Sequence, residues 1–262
     1  MRRHPAALSL VPVLALLVAA CGGAGGGEPR GGETPSTTTA VISKSSCLQG
    51  AEAAQAIRFQ TTAGASLAGV LLGSGRTGLV LGHQNGSDIC EWMPQARSFA
   101  AGGYRVLVLD FEGFGDSQPG SGPDARLDVD VVAAAGELRQ RGADRIVLVG
   151  SSMGGTAVLA AATEISPPVA GVVSLSGPAE FHGVDAAAAL PRLRAPVLFV
   201  ASADDQPFAD DARAMYRAAP VRDKRLLVVP GGAHGTSMAE FGAEAARVKA
   251  ALETFIADHA GH

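Results

Sequence analysis

The chain has 262 residues, of which 47% are hydrophobic and 18% charged, so it can bury the core of one α/β domain of ordinary size. This composition excludes an intrinsically disordered chain. The formal net charge of −4 and the aromatic content of 5% also exclude a typical nucleic-acid-binding surface, which needs excess Lys and Arg and aromatic rings for stacking.

The N-terminal segment has the pattern of an export signal. Two Arg residues precede an apolar stretch at residues 6–20, which is too short to span a bilayer comfortably. The stretch ends in VAAC, which resembles the lipobox of bacterial lipoproteins, whose Cys receives a diacylglycerol. The resemblance implies a signal peptide at residues 1–20 and an extracytoplasmic protein that is lipid-anchored to the cell membrane through Cys21. The alternative is an ordinary secretory signal whose cleavage happens to leave a Cys.

The segment that follows is predicted to be a spacer. Residues 21–46 are rich in Gly, Pro, Ser and Thr, which is typical of a flexible tether, and a single domain is expected at residues 47–262. If Cys21 is lipidated, Cys47 and Cys90 remain as a pair in an oxidising compartment, and we expect a disulfide between them. The alternative is two free buried thiols. Neither has a second sulfur or a His at ligand spacing, so no metal site is expected.

From residue 51 onward, short apolar runs alternate with amphipathic segments, which predicts a mostly parallel sheet with helices on both faces. A tight turn between the first two runs predicts an antiparallel edge. The predicted strands are residues 56–61, 66–72, 78–82, 105–110, 145–150, 169–175, 197–201 and 225–229. The predicted helices are residues 89–101, 125–141, 153–165, 207–218 and 236–259. In such a sheet, functional residues are expected just beyond the carboxyl ends of the strands.

A G-x-S-x-G motif, residues 150–154, lies between a predicted strand and a predicted helix. In this setting it resembles the nucleophile elbow of α/β-hydrolase-fold serine hydrolases, a family that includes esterases and dienelactone-hydrolase-like proteins. The resemblance covers about residues 51–259 and implies that Ser152 is the nucleophile. Two flanking glycines would allow close backbone approach, and the helix N-terminus would favour a developing negative charge.

A serine nucleophile needs a base, and the base needs an acid that orients it. His234 follows the last predicted strand and is the predicted base, whereas His182 follows the wrong strand and His259 lies near the chain terminus. Two adjacent candidates for the acid, Asp204 and Asp205, follow the preceding strand. The register usual in this fold favours Asp204, with Asp205 capping the next helix. The chain order Ser, Asp, His is the order that this fold uses.

An oxyanion hole needs two backbone N–H donors. The resemblance assigns one to Met153 and the other to the loop after the third predicted strand. Members of the family usually read His-Gly there, whereas this chain reads His83-Gln84, so Gln84 and Asn85 are both candidates and Asn85 is preferred. His83 is expected to bond nearby backbone. A D-x-x-G-x-G-x-S segment from Asp110 resembles a structural turn of the same fold.

The segment at residues 176–195 is too short for the helical cap that larger members of this fold insert, so an open site is expected. The resemblance therefore implies a carboxylic-ester hydrolase that acts on a small-molecule ester or acyl substrate, with no cofactor, metal or nucleic-acid partner. A peptidase or thioesterase with the same residues, and a non-catalytic surface-binding lipoprotein, are the alternatives. A bridge between Cys47 and Cys90 is expected to hold the oxyanion loop against the N-terminal segment.

Overall fold

The computed structural model describes residues 46–118 and 126–261. The predicted signal peptide, Cys21 and all but the last residue of the predicted tether lie outside the described residues. Within the described part of the chain, every helix is too short or too polar to cross a bilayer.

Eight strands form the central sheet, and most of their residues are buried because helices cover both faces. They are β1 (Ala56–Gln60), β2 (Ser66–Leu72), β3 (Thr77–Gly82), β4 (Arg105–Leu109), β5 (Arg145–Ser151), β6 (Gly171–Leu175), β9 (Val197–Ser202) and β10 (Lys224–Val229). The order across the sheet is β1-β2-β4-β3-β5-β6-β9-β10. Only the pairings of β2 with β1 and β4 are antiparallel in this sheet as described, which confirms the predicted mostly parallel sheet and its antiparallel edge.

The helices divide into two layers. They are α1 (Met93–Ala101), α2 (Leu127–Gln140), α3 (Met153–Ala161), α4 (Ala186–Ala189), α5 (Phe208–Ala218), α6 (Ser237–Glu240) and α7 (Ala245–Ala260). One apolar cluster packs α2, α3 and α5 against one face of the sheet, around side chains such as Leu148 and Phe199. The other cluster packs α1, α6 and α7 against the opposite face, around Trp92 and Phe255. Burial of these two clusters is the main stabilising contribution to the domain.

Two predicted helices are divided in the structure. The helix predicted at residues 236–259 is interrupted between α6 and α7, because Phe241 is extended and Gly242 has φ +85°. The helix predicted at residues 89–101 begins as a short 3₁₀ helix, Ile89–Glu91, and α1 starts only at Met93. Pro at the second position of α1 fits a helix start, because its missing N–H would have had no intrahelical partner there.

The segment at residues 176–195 is short, as predicted. It consists of a two-stranded hairpin, β7 (Glu180–Phe181) and β8 (Val184–Asp185), followed by α4 and one 3₁₀ turn, Leu190–Arg192. All of its residues are described, and they contain no further helix that could form a cap over the sheet edge.

Candidate active site

Ser152 occupies a sharp turn between β5 and α3. Its backbone angles, φ 49° and ψ −115°, are rare for a residue with a side chain, and the surrounding contacts enforce them. Its N–H donates to the carbonyl oxygen of Leu175 at 2.7 Å. A Cβ on Gly150 would overlap the carbonyl group of Gly154, and one on Gly154 would overlap that of Gly82. The turn therefore requires glycine on both sides of Ser152, and it places this serine at the N-terminus of α3.

His234 lies on the loop after β10, at the same edge of the sheet. Its Nδ1 lies 2.8 Å from Oδ2 of Asp205, and because an ionised carboxylate only accepts, Nδ1–H is the donor. This assignment leaves Nε2 as the basic nitrogen of the ring. The ring of Phe208 packs against the imidazole, with 4.4 Å between the ring centroids. Among the described residues, Ser152 Oγ has no hydrogen bond to His234, a contact that often tightens only when substrate is bound.

The carboxylate that is hydrogen-bonded to His234 is Asp205, so the prediction that favoured Asp204 is wrong. Strand β9 extends through Ser202, one residue further than predicted, and the Asp205 N–H then donates to the Ser202 carbonyl in a tight turn. This turn brings the Asp205 side chain to His234 and leaves Asp204 exposed, with its N–H on the carbonyl of Gly231. Asp205 also does not cap the next helix, α5. That helix begins at Phe208, directly after Pro207, and has no side-chain hydrogen bond at its N-cap.

Ser176, which the sequence pattern did not predict, completes this arrangement. It directly follows β6 and has φ 48°. Its hydroxyl donates to the same Asp205 oxygen at 2.8 Å and accepts the N–H of Gly235 at 3.2 Å. No motif marks Ser176, but its place immediately after a central strand was a signal that could have found it.

The two rival histidines lie in other surroundings. His182 is in the β7–β8 hairpin and stacks on Phe181 at a centroid distance of 4.3 Å. His259 lies near the end of α7, where Nε2 is 3.0 Å from Asp223 and Nδ1 is 2.7 Å from the carbonyl oxygen of Phe255. Neither is hydrogen-bonded to Asp205 among the described residues.

The loop after β3 is the predicted source of the second oxyanion donor. The Gln84 N–H is already engaged, because it donates to Oε2 of Glu91 at 2.8 Å. The backbone N–H groups of Asn85 and Met153 have no hydrogen-bond partner among the described residues. A turn closed by the Ser87 N–H on the Gln84 carbonyl holds Asn85 in place. This geometry favours Asn85 over Gln84 as the second oxyanion donor.

His83 links two loops at the edge of the sheet. Its side chain is buried, Nδ1 lies 2.7 Å from the carbonyl oxygen of Gln84, and Nε2 accepts the N–H of Phe111 at 3.2 Å. Burial lowers the pKa of His83 to about 4, so the ring is neutral near pH 7. The predicted structural role of His83 is confirmed.

Asp110 is likewise buried at the centre of a turn. Its carboxylate accepts the N–H groups of Ile89 and Asp116, each at 2.8 Å, and its own carbonyl accepts the Ser117 hydroxyl. Burial raises the pKa of Asp110 to about 6. The D-x-x-G-x-G-x-S segment is therefore structural, as predicted.

A disulfide joins Cys47 to Cys90, which confirms the predicted bridge. Arg97 of α1 reinforces the connection, because its guanidinium donates to the carbonyl of Cys47 at 2.8 Å and to the carboxylate of Glu52 at 2.7 Å. The N-terminal part of the domain is thereby attached to the segment that follows the oxyanion loop. Within the described ranges, no group of three or more His, Cys, Asp or Glu side chains could hold a metal ion.

Comparison with known proteins agrees with this architecture. Residues 75–190 match a protein family described by the alpha/beta hydrolase fold. An esterase from Pyrococcus furiosus superposes with a TM-score of 0.67 over 79% of this chain and 92% of its own, at 16% identity. An esterase from a Rhodococcus species gives a TM-score of 0.66 over 78% and 99%, at 18% identity. The chain has the α/β-hydrolase fold.

Curated relatives of this α/β-hydrolase-fold protein match only part of it. A 2-hydroxy-6-oxononadienedioate/2-hydroxy-6-oxononatrienedioate hydrolase from Burkholderia vietnamiensis is 35% identical over 108 residues, which are 40% of this chain. The match spans 38% of that hydrolase's own length.

Proposed function

We propose that this protein is a serine hydrolase that cleaves carboxylic esters through an acyl-enzyme on Ser152. The observation that carries the proposal is the 2.8 Å hydrogen bond between His234 and Asp205, at the sheet edge where Ser152 sits in a strained elbow. A pairing of base and orienting acid near a serine in a sharp turn is the arrangement that activates a hydroxyl nucleophile. The esterases that share the fold support the same chemistry.

Each residue then has a defined role in the reaction. Ser152 Oγ attacks the ester carbonyl carbon while Nε2 of His234 takes its proton, and the N–H groups of Met153 and Asn85 stabilise the oxyanion. His234 next protonates the departing alcohol and afterwards deprotonates a water that hydrolyses the acyl-enzyme. Asp205 holds the imidazole in the required tautomer and stabilises the imidazolium.

Among the described residues, little structure could cover the sheet edge, which favours small or protruding acyl groups as substrates. Residues 176–195 contribute only a short hairpin and two short helical turns at this edge. Interfacial opening of a large lid is therefore not part of the proposed mechanism. A thioesterase or peptidase would use the same residues, so the leaving group must be decided by experiment.

Active-site labelling tests the proposal directly. The mature protein is treated with a fluorophosphonate and its intact mass is measured beside the Ser152→Ala variant. We expect one adduct per chain in the wild type and none in the variant. The substrates are then ranked with a panel of compounds. The panel contains p-nitrophenyl esters of increasing acyl length, a thioester, an amide and 2-hydroxy-6-oxononadienedioate, the compound in the name of the curated relatives. A folded, disulfide-bonded wild type that takes no label would instead support a binding lipoprotein.

We further propose that the protein is exported and lipid-anchored at Cys21, outside the cytoplasm. The support is the VAAC sequence after a short apolar stretch and the glycine-rich spacer that follows it. Expression in a bacterial host fed tritiated palmitate should label the wild type and leave the Cys21→Ser variant unlabelled and outside the membrane fraction. A variant that stays in the membrane fraction at the wild-type level would contradict the anchor.

A further inference from the structure

Glu91 is a half-buried residue whose carboxyl group the proposed reaction does not use. It ends the 3₁₀ helix Ile89–Glu91, and its Oε2 accepts the N–H of Gln84 at 2.8 Å. Hydroxyl groups of Ser87, Ser151 and Thr236 surround the same carboxyl and lower its pKa, although burial outweighs them and raises the pKa overall. Oε1 is inaccessible to solvent and has no partner within ordinary hydrogen-bond distance among the described residues.

Each neighbour of Glu91 lies next to a group that the reaction needs. Gln84 precedes the oxyanion donor Asn85, Ser151 precedes the nucleophile, and Thr236 follows His234 by two residues. Two of these residues also contact each other, because the N–H of Thr236 donates to Ser151 Oγ at 3.2 Å. A Cβ on the glycine between His234 and Thr236 would come within 2.9 Å of Oε1 of Gln84. One carboxyl group therefore lies where the oxyanion loop, the elbow and the histidine loop meet.

Two hydrogen bonds and a disulfide hold the backbone that carries Glu91 in place. The N–H of Ile89 donates to Asp110 at 2.8 Å, the Asp88 side chain accepts the N–H of Cys90 at 2.8 Å, and Cys90 is bonded to Cys47. The carboxyl group consequently projects from a rigid support. Rigid support of this kind is what accurate placement of neighbouring loops requires.

A carboxyl group in this position is costly for folding. Transfer of a polar group from water to a buried site is unfavourable unless hydrogen bonds replace those to water, and Oε1 has none of standard length among the described residues. A Leu or Met of similar volume would avoid that cost. The contacts of Oε2 and the surrounding hydroxyls instead join three loops that share no backbone pairing among the described residues.

We propose that Glu91 is a positioning residue that aligns the oxyanion loop with the nucleophile elbow and the histidine loop. The proposal rests on the proposed serine-hydrolase function. Without this carboxyl group, the Gln84 N–H loses its acceptor and the neighbouring Asn85 N–H moves away from the oxyanion. Because that donor acts mainly in the transition state, kcat falls while KM changes little.

The test compares Glu91→Leu and Glu91→Gln in the mature, disulfide-bonded protein, with Glu137→Leu as a matched control. Glu137 is a half-buried glutamate of α2 that pairs with the exposed Arg141. In Glu91→Leu we expect kcat to fall by about tenfold or more with KM within about twofold, and fluorophosphonate labelling to slow in parallel. Glu91→Gln keeps an acceptor for the Gln84 N–H and should recover most of kcat. Glu137→Leu should behave like the wild type.

A second variant covers the case in which Glu91→Leu does not fold. Ser151→Ala removes the hydroxyl between Glu91 and Thr236 without introducing bulk, and we expect a smaller loss of kcat than in Glu91→Leu, with KM within about twofold. The positioning role would be overturned if kcat were unchanged in Glu91→Leu. It would also be overturned if the losses of kcat in Glu91→Leu and Glu91→Gln simply followed the losses in melting temperature. Unchanged kcat in a folded Ser151→Ala protein would also overturn it. A wild type that neither labels nor hydrolyses esters would overturn the proposed function, and the positioning role with it.

Discussion

His234 and Asp205 are joined by a 2.8 Å hydrogen bond, while the neighbouring carboxylate, Asp204, faces solvent. The Ser176 hydroxyl donates to the same Asp205 oxygen. Two hydrogen bonds, from Nδ1–H of His234 and from the Ser176 hydroxyl, therefore hold the Asp205 carboxylate in place. This relationship distinguishes two adjacent aspartates that differ by a single position in the chain.

Substitution of the two aspartates should give very different enzymes. In Asp205→Asn the side chain can no longer favour the required imidazole tautomer, so we expect kcat for p-nitrophenyl acetate to fall by roughly 10³- to 10⁴-fold. Asp204→Asn, which removes an exposed charge one position away, should stay within about twofold of the wild type. Steady-state kinetics with circular dichroism of both variants makes the comparison. Equal losses in the two variants would contradict the assignment of Asp205.

The glycines of the chain should differ sharply in their tolerance of a methyl group. A Cβ on Gly154 would overlap the carbonyl of Gly82, whereas a Cβ on Gly136, in the middle of α2, meets nothing within 4 Å. Gly154→Ala should therefore lose folding or fluorophosphonate labelling. Gly136→Ala should raise the free energy of unfolding by about 0.5–1 kcal/mol, because alanine restricts the unfolded chain and favours the helix. Thermal melts and labelling of both variants provide the measurement, and a labelled, stable Gly154→Ala protein would contradict the elbow geometry.

Removal of the disulfide should affect both stability and turnover. The bridge closes a sequence separation of 43 residues, for which chain entropy gives about 4 kcal/mol of stabilisation. In Cys47→Ser/Cys90→Ser we expect the melting temperature to fall by roughly 8–16 °C. Because Cys90 precedes Glu91, kcat should fall below that of the wild type at a temperature where both proteins are folded. An unchanged kcat under those conditions would show that the bridge stabilises the domain without holding the oxyanion loop.

Asp130 should make stability depend on pH. It is buried in α2, Oδ2 accepts the N–H of Glu112 at 2.8 Å, and burial, reinforced by the Glu112 and Asp128 carboxylates, raises its pKa to about 7. A raised pKa means that the folded state binds the Asp130 proton more tightly than the unfolded state does. The contribution of this proton to the free energy of unfolding is therefore complete below pH 3.8 and is lost as the pH rises through about 7.

Asp130→Asn removes this titration while keeping an acceptor for the Glu112 N–H. Between pH 5 and pH 7, the wild type should lose roughly 2–3 kcal/mol of unfolding free energy relative to the variant. Urea unfolding of both proteins at the two pH values measures this difference. Parallel pH dependence in the two proteins would show that Asp130 is ionised in the folded state throughout that interval.

Much of the fold could be predicted from the sequence because its signals are local. Runs of apolar residues marked the buried strands, and the glycines around Ser152 marked a turn that only a close backbone approach explains. The ends of strands and helices were predicted less accurately. For example, Phe241 and Gly242 divide the helix that was predicted as continuous over residues 236–259. The sequence pattern reports which side chains are apolar, but a helix interruption depends on how the next element packs.

The sequence by itself determined the fold and the cysteine pair, and it predicted Ser152 as the candidate nucleophile and His234 as the candidate base, since each follows from a residue type at a strand end or from a pattern along the chain. The tertiary structure alone decided between Asp204 and Asp205, and it alone revealed Ser176 and Glu91. Those outcomes depend on where a turn directs a side chain and on which loops meet at the sheet edge. Contacts between residues far apart in the chain leave no local pattern from which they could be read.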